Sequence, residues 1–247
     1  MNDLRVLGLN GFGLTVPDLE KAEHFYRAFG LEVGKRGDGL GIRSPGRSHD
    51  EGLLIPGSGR RLHHLSFYID PIQTDAFSDK LTAMGLAVSD KAPDNAHRKG
   101  LWFQDRWGTW INLSPEIPRS IAAESPPQPA DPVNADRIDV ALWQQVRPGR
   151  PPRRIGHLLM FTQDWEATER FYCEALGMRT TDRAVGKVAF MAAGTGIIDH
   201  HCFGLINSTH RGLQHASFNV ANIDDIGLGA VRMRAAGYTE GDRKSVV

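Results

Sequence analysis

The sequence predicts an α+β fold built from tandem βαβββ modules, in which a strand and a helix are followed by three further strands. Alternating apolar and polar segments, typical of half-buried strands, recur along the chain and are interrupted by helical patterns of period 3.6. The helices also end on a shared residue pattern, and the two halves of the chain align in one register. With 247 residues and 40% hydrophobic content, the chain can bury a sizeable core in one or two domains.

The first module begins with strand-like residues 7–16, followed by a helical pattern. Asp18 is suited to cap this helix, and Gly30 is suited to end it in the left-handed conformation. Two or three short strands are predicted between residues 31 and 55, where turn residues separate them. A second module repeats the order, with a strand at residues 61–69, a helix at 72–85, and strands at 86–89, 100–104 and 109–114.

The ends of the predicted helices carry the clearest sign of repetition. A small residue lets the last helical turn lie close to the sheet, and glycine adopts positive φ without a steric penalty. The same form occurs four times, as Ala28-Phe29-Gly30, Ala83-Met84-Gly85, Ala175-Leu176-Gly177 and Ala235-Ala236-Gly237. A fourfold recurrence indicates an internal repeat.

Composition changes between the second and third modules. The segment from Pro115 to Pro152 contains nine of the fourteen prolines. We therefore predict domains at residues 1–115 and 153–247, joined by a Pro-rich linker at residues 116–152. A short surface helix is predicted within this linker, at residues 138–146.

The register of the two halves allows their histidines to be compared. Phe171-Tyr172 follows Asp164 by the same seven residues that separate Phe25-Tyr26 from Asp18. In this register His157 corresponds to Gly11, and His215 corresponds to His64. Asn112 occupies the position where a third, acidic metal ligand would be expected in the first half. The first half is therefore predicted to hold no metal, with His64 a hydrogen-bonded core residue.

The second half contains a candidate metal site. His157 and His215 lie on equivalent strands of adjacent modules, and side chains two residues apart on a strand share a face. The two imidazoles are therefore predicted to point into one cavity as metal ligands. His201 lies between them in the sequence on a further strand, where His200 is expected to face away from it.

Charge and cysteine content exclude several classes of function. Twenty-nine Lys and Arg balance twenty-nine Asp and Glu, so nucleic acid and anionic membranes are not expected partners. No segment approaches the roughly 20 apolar residues that span a bilayer, and the N-terminus lacks a signal-peptide pattern. Cys173 and Cys202 are expected to be structural thiols in a reducing compartment. We therefore expect a cytoplasmic protein.

Three motifs resemble those of the type I extradiol ring-cleaving dioxygenases. They are His157-Leu158-Leu159, the His200-His201 pair before Phe203-Gly204-Leu205, and the segment that begins Leu213-Gln214-His215-Ala216-Ser217-Phe218. These enzymes belong to the vicinal oxygen chelate superfamily, with glyoxalases and bleomycin-resistance proteins. The resemblance implies two glyoxalase-like domains, of which the first lacks metal and the second binds it.

The resemblance also implies roles for single residues. It implies that His157 and His215 bind Fe(II), or less often Mn(II), through neutral imidazole. His201 would lie outside the metal shell and act as the acid/base residue, a task suited to a group that titrates near neutrality. The implied reaction inserts O2 into a catechol-type aromatic diol and opens the ring. We expect a homo-oligomer.

The carboxylate ligand of such a site has no counterpart in this sequence. Asn112 follows His64 by 48 residues, so the equivalent position in the second half would lie near residue 263, beyond Val247. We therefore expect an incomplete last module, an exposed edge at the strand of His215, and weak metal binding. Glu240 is a poor substitute because it follows the last helix.

Two other functions remain open. One is a metal-free or weakly metal-binding protein of the same fold that binds an aromatic ligand. The other is a non-redox lyase or isomerase, which would require a glutamate on a module strand, and none is well placed.

Overall fold

The computed structural model describes residues 4–94, 96–116, 150–196 and 198–239, which form two β-sheets and four α-helices. The first sheet has the strand order β2-β3-β4-β1-β5-β7-β6, comprising β1 (Gly8–Val16), β2 (Glu32–Arg36), β3 (Gly39–Arg43), β4 (Gly52–Pro56), β5 (Arg61–Tyr68), β6 (Leu101–Gln104) and β7 (Trp110–Ser114). The second has the order β12-β8-β11-β10-β9, comprising β8 (Arg154–Thr162), β9 (Arg179–Ala184), β10 (Val188–Ala192), β11 (Phe203–Asn207) and β12 (Gly212–Asn219). The helices are α1 (Leu19–Phe29), α2 (Thr74–Ala83), α3 (Trp165–Leu176) and α4 (Ile223–Ala235).

The same strand arrangement occurs in both sheets. β1 runs parallel to β4 and antiparallel to β5, and β8 runs parallel to β11 and antiparallel to β12. Phe12 pairs with Gly52 in the first sheet, as Leu158 pairs with Phe203 in the second. The predicted α+β fold of tandem modules is therefore confirmed, and the register between the halves extends to single residue pairs.

Local chemistry accounts for the helix ends. The Asp18 carboxylate accepts a hydrogen bond from Lys21 N at 2.9 Å and so satisfies a free amide at the start of α1. Asp164 does the same for Ala167 N of α3 at 3.1 Å. The four predicted terminal glycines all have positive φ, at 102° for Gly30, 79° for Gly85, 66° for Gly177 and 91° for Gly237.

Helix α3 fixes the second sheet by burying one complete face. Its buried side chains include Trp165, Phe171, Tyr172 and Leu176, spaced at helical intervals as predicted. Burying one such side chain contributes about 1.5–3 kcal/mol, far more than the helix propensity of one residue. The apolar face therefore positions α3, and with it the strands that follow.

Three local predictions require correction. Residues 86–89 form no strand, because the chain there makes only a single bridge, between Ser89 and Trp102. The second helix begins with a 3-10 turn at Pro71–Gln73 before α2, since Asp70 caps Ile72 N. Strand β11 begins at Phe203, so Asp199, His200 and His201 precede it in a bend. The helix predicted at residues 138–146 lies outside the described residues.

A buried carboxylate, Asp105, joins the two domains. It follows β6, and its Oδ2 accepts hydrogen bonds from Tyr172 Oη at 3.2 Å and Arg211 Nη2 at 3.1 Å, both in the second domain. A second link joins Ile155 N of β8 to Glu51 Oε1 at 2.7 Å. The relative position of the domains is therefore held by directional polar contacts in addition to apolar packing.

Strand β12 is one of the two edge strands of the second sheet in the part of the chain that the structure describes, the other being β9. Most residues of β12 are half-buried, in contrast to the buried centre of β5, its counterpart in the first sheet. None of the described helices is long and apolar enough to cross a membrane.

Candidate metal centre

The side chains of His157 and His215 meet on one face of the second sheet. His157 lies on β8 and His215 lies on the adjacent strand β12, where their registers place them opposite Ser217 and Leu159. Their Nε2 atoms are 2.9 Å apart, with the ring planes inclined at 73°. The structure thus brings the two predicted ligands together.

The tautomer of His215 follows from its neighbour. His215 Nδ1 is hydrogen-bonded to Gln214 Oε1, an amide oxygen that can only accept. The proton therefore resides on Nδ1, and the Nε2 lone pair of His215 faces His157. Ligating histidines commonly hold their second nitrogen in this way, which fixes both the tautomer and the ring orientation.

The spacing of the two nitrogens fits adjacent ligands of one divalent metal ion. Metal–imidazole bonds are about 2.0–2.1 Å long, so two ligands at a right angle have nitrogens about 3 Å apart. The observed separation is 2.9 Å. Imidazole nitrogens suit iron, copper, nickel and zinc, and a 2-His-1-carboxylate set is typical of non-haem Fe(II) sites.

Both histidines are neutral near pH 7, the form required for a metal ligand. Burial, followed by the charges of His201 and His215, lowers the pKa of His157 to about 4. Burial is also the main cause of the lowered pKa of His215.

His201 lies beside this pair but not within it. Its ring centroid is 4.7 Å from that of His157 and 4.6 Å from that of Phe190. The prediction that His200 faces away is wrong, because the bend before β11 breaks strand alternation. The Nδ1 atoms of His200 and His201 are 3.1 Å apart. His201 Nδ1 is therefore engaged by His200, and Nε2 is the ring nitrogen that this contact leaves available.

The bend that carries His201 is tied to β8 by an ion pair. Arg154 donates two hydrogen bonds to the Asp199 carboxylate, both at 2.8 Å. This bidentate geometry constrains the chain two residues before His201 and three residues before His157.

No third protein ligand approaches the pair within the described residues. No group of three or more His, Cys, Asp or Glu side chains that could hold a metal occurs in residues 4–94, 96–116, 150–196 or 198–239. The described residues thus bring two neutral imidazole nitrogens together without a third such group.

The first domain contains a different group at the corresponding position. Its β1 carries Gly11 where β8 carries His157, and a Cβ on Gly11 would collide with the Glu51 backbone. Arg98 fills the remaining space: its Nη2 lies 2.9 Å from the place of that Cβ, and its Nε donates to His64 Nε2 at 3.3 Å. A guanidinium therefore contacts His64 much as His157 contacts His215.

A chain of hydrogen bonds fixes His64 in its neutral form. Because His64 Nε2 accepts from Arg98, its proton lies on Nδ1 and is donated to His63 Nδ1 at 2.9 Å. His63 Nε2 in turn donates to the Asp94 carboxylate at 3.3 Å. Burial is the first cause of the low pKa of His64, and the Arg98 charge is the second. His64 is a hydrogen-bonded core residue, as expected.

Asn112 has a structural role in the same domain. It is buried, and its Oδ1 accepts from Ser66 Oγ at 2.6 Å while its side-chain nitrogen donates to the Lys99 and Leu101 carbonyls. The two cysteines are free thiols. Burial raises the pKa of Cys202 to about 12, which makes it unreactive.

Sequence reasoning did not find Arg98, Gln214 or the Arg154–Asp199 pair. Gln214 directly precedes a predicted ligand, and an acceptor was to be expected near a ligating histidine. Arg98 lies 34 residues from His64 in a segment without regular structure, and no local pattern indicates its contact.

Comparison with known proteins defines the class to which the chain belongs. The sequence profile of the Glyoxalase/Bleomycin resistance protein/Dioxygenase superfamily matches residues 8–113 and 154–243. The chain is a member of this superfamily.

One relative in sequence and two solved structures are similar to most of the chain. The chain is 32% identical over 236 residues to Metapyrocatechase 2 of Cupriavidus necator, covering 96% of this chain and 72% of that protein. The Mn(II)-bound glyoxalase of Novosphingobium aromaticivorans superposes with a TM-score of 0.74 at 19% identity, covering 95% of this chain and 72% of that one. The 2,3-dioxygenase LapB of Pseudomonas sp. KL28 superposes with a TM-score of 0.72 at 19% identity, covering 95% and 82%.

Proposed function

We propose that this chain is an extradiol ring-cleavage dioxygenase that inserts O2 into a catechol-type aromatic diol at a non-haem Fe(II) centre. The observation that carries the proposal is the pair of neutral imidazoles of His157 and His215, at the spacing of adjacent metal ligands. The 32% identity to a metapyrocatechase supports the reaction type. Mn(II) is the alternative ion in this proposal, because a glyoxalase of similar fold is Mn(II)-bound.

In this proposal, bound Fe(II) supplies the site at which diol and O2 are held together and electrons pass between them. His157 and His215 hold the ion through Nε2, and Gln214 keeps His215 in the correct tautomer. Phe190, 4.6 Å from His201, supplies an apolar wall beside the substrate and excludes water.

His201 is the proposed acid/base residue. Its Nε2 takes a proton from the substrate side and returns it as the ring opens, while Nδ1 is held by His200. Burial is the main cause of its lowered pKa, which leaves the ring largely neutral and able to accept a proton at pH 7. The Arg154–Asp199 ion pair keeps this bend in place.

The test separates metal binding from turnover. The purified chain is loaded anaerobically with Fe(II), and we measure bound iron, O2 uptake with catechol and formation of the ring-opened product. We expect H157A and H215A to lose iron. H201A should keep iron and lose turnover by about 10²–10⁴-fold. H210A, which alters a histidine in the turn before β12, is the matched control and should change neither. Stoichiometric iron without O2 uptake in the parent chain would contradict the proposal.

A second candidate is a metal-free or weakly metal-binding protein of the same fold that binds an aromatic ligand. It is favoured by the absence of a third ligand among the described residues. Iron analysis after loading discriminates between the two, because this candidate predicts less than one bound ion together with undiminished binding of catechol in EDTA.

We further propose domain boundaries at residues 1–115 and 153–247. The ends of β7 at Ser114 and β8 at Arg154 support these boundaries. A cytoplasmic homo-oligomer is the proposed state of the protein, which sedimentation measurements and cell fractionation would check.

A further inference from the structure

A cavity of about 530 Å³ lies between the two domains. The first domain lines it with Arg47, His49 and Tyr68, and the second with Arg154 and Ile155 among others. Its volume falls in the range of roughly 300–1,000 Å³ that is typical of small-molecule sites, which often lie at domain interfaces.

This cavity is separate from the metal centre. On β8 it is lined by Arg154, Ile155 and Gly156 but not by His157, and the register of β8 with β12 shifts between Ile155 and His157. None of His157, His201 and His215 contributes to its wall.

The surroundings of the cavity carry more positive than negative charge. Both Asp199 oxygens are engaged by Arg154, and Asp50 is engaged by Arg36. The Glu51 carboxylate accepts hydrogen bonds from the backbone N–H groups of Ser44 and Ile155, both at 2.7 Å. The nearby groups comprise four guanidiniums and three carboxylates, namely Arg36, Arg47, Arg98 and Arg154 against Asp50, Glu51 and Asp199. One anion would balance them.

Arg98 strengthens this imbalance from behind the cavity wall. The residue as a whole is half-buried, but its Nη2 atom is buried and has no hydrogen-bond partner among the described residues, and its charge acts on both Tyr68 and His49. A guanidinium whose buried nitrogen has no such partner makes a nearby anion favourable. Burial and the neighbouring arginines lower the pKa of His49 to about 4, so His49 contributes no charge of its own at neutral pH.

The cavity wall has a polar part and an apolar part. Arg47 lines the cavity with its guanidinium, which forms an ion pair with Glu51, Nε to Oε1 at 3.7 Å. His49 Nε2 lies 2.8 Å from Tyr68 Oη beside it. When neutral His49 carries its proton on Nε2, it donates to Tyr68, whose own hydroxyl proton is then available to a ligand. Much of the remaining wall is apolar, formed by Leu7, Leu9, Ile155, Ala193, Ile198 and Cys202.

We propose that this cavity binds a small organic carboxylate with an apolar body, with Arg47 and Tyr68 holding the carboxylate and the aliphatic side chains covering the body. A planar guanidinium matches the two oxygens of a carboxylate, and a phenol adds a neutral donor. In the register of the repeat, His49 and Asp50 precede Gly52 as His200 and His201 precede Phe203, and residues from both of these equivalent segments line the cavity.

The test uses benzoate as the probe and benzamide as its neutral analogue, with EDTA-treated protein so that no metal contributes. Isothermal titration should show saturable 1:1 binding of benzoate. Benzamide should bind at least about tenfold more weakly, because it lacks the charge that the guanidinium recognises. Binding should persist in the H157A/H215A double variant, which separates this result from the proposed dioxygenase function.

Three variants locate the site. R47M should weaken benzoate binding about tenfold or more, and Y68F, which preserves the ring, about three- to tenfold. R170M, which removes an exposed arginine from α3, is the matched control and should leave the affinity unchanged. The absence of saturable binding up to about 10 mM benzoate, equal binding of benzamide, or loss of binding in H157A/H215A would each overturn the proposal.

Discussion

Asp105 allows the link between the two domains to be measured. The residue is only 4% exposed. Oδ1 accepts from Trp107 N at 2.9 Å and Thr109 N at 2.8 Å, which shapes the turn between β6 and β7. Oδ2 accepts from Tyr172 and Arg211 of the second domain. The D105A substitution removes all four acceptor contacts and leaves the Arg211 charge without this carboxylate.

The expected cost follows from the nature of these contacts. Breaking a buried ion pair by removing one partner costs about 3–5 kcal/mol, and hydrogen bonds to a charged group contribute about 1.5–3 kcal/mol each. The two estimates overlap because they describe the same atoms, so we expect D105A to lower the free energy of unfolding by about 4 kcal/mol. D105N retains an oxygen for the turn and loses the charge, so its expected cost is about 2 kcal/mol.

Urea denaturation followed by circular dichroism measures both values. D75A, at an exposed site in the first turn of α2, is the control and should cost about 0.5 kcal/mol or less. In a double-mutant cycle with R211M, the coupling energy should be at least about 1 kcal/mol. A cost below about 1 kcal/mol for D105A, or additive effects in the cycle, would refute the assignment of Asp105 as the link.

Three further predictions concern His215 of the candidate metal centre, His64 of the first domain and His49 of the cavity. Q214L removes the acceptor that orients His215 and should weaken Fe(II) binding by about 10–100-fold in a competition titration with a chelator; unchanged affinity would contradict the role of Gln214. A Cβ on Gly13 would overlap the buried ring of His64, so G13A should cost about 1–3 kcal/mol in urea denaturation; a neutral effect would show that the ring can move. Between pH 6.5 and 4, His49 binds a proton in the unfolded chain but not in the folded protein. The contribution of His49 to the free energy of unfolding is therefore complete above pH 6.5 and is lost as the pH falls, by at most about 3 kcal/mol. H49Q should therefore lose less stability than the parent chain between pH 7 and pH 4, and equal losses would contradict this reasoning.

The parts of the fold that depend on local chemistry were predictable. Asp18 and Gly30 mark the ends of α1 because a carboxylate beside free amides and a residue with positive φ are local requirements. The histidine pair was also accessible, because strand alternation and the repeat together determine which face a side chain occupies. His157 and His215 meet although 58 residues separate them.

Other features depend on packing between distant segments and were not predictable. The bend at His200 and His201 departs from strand alternation while the Arg154–Asp199 ion pair anchors its start, and that contact spans 45 residues. Similarly, nothing in the residues around Arg98 indicates that its guanidinium contacts His64. Residues of this kind are recognised only when the complete fold brings them together.

Because Arg98 supplies a cation beside His64, the first domain does not depend on a metal ion from solution at this position, unlike the site proposed in the second domain. A cation that is part of the polypeptide cannot be chelated, exchanged or lost on dilution, and it is present as soon as the chain is synthesised. The first domain therefore completes its interior regardless of iron supply, whereas the Fe(II) proposed for the histidine pair of the second domain would come from solution. Iron depletion should accordingly alter hydrogen exchange in β8 and β12 and leave β1 and β5 unchanged, so that one half serves as a constant reference for the other.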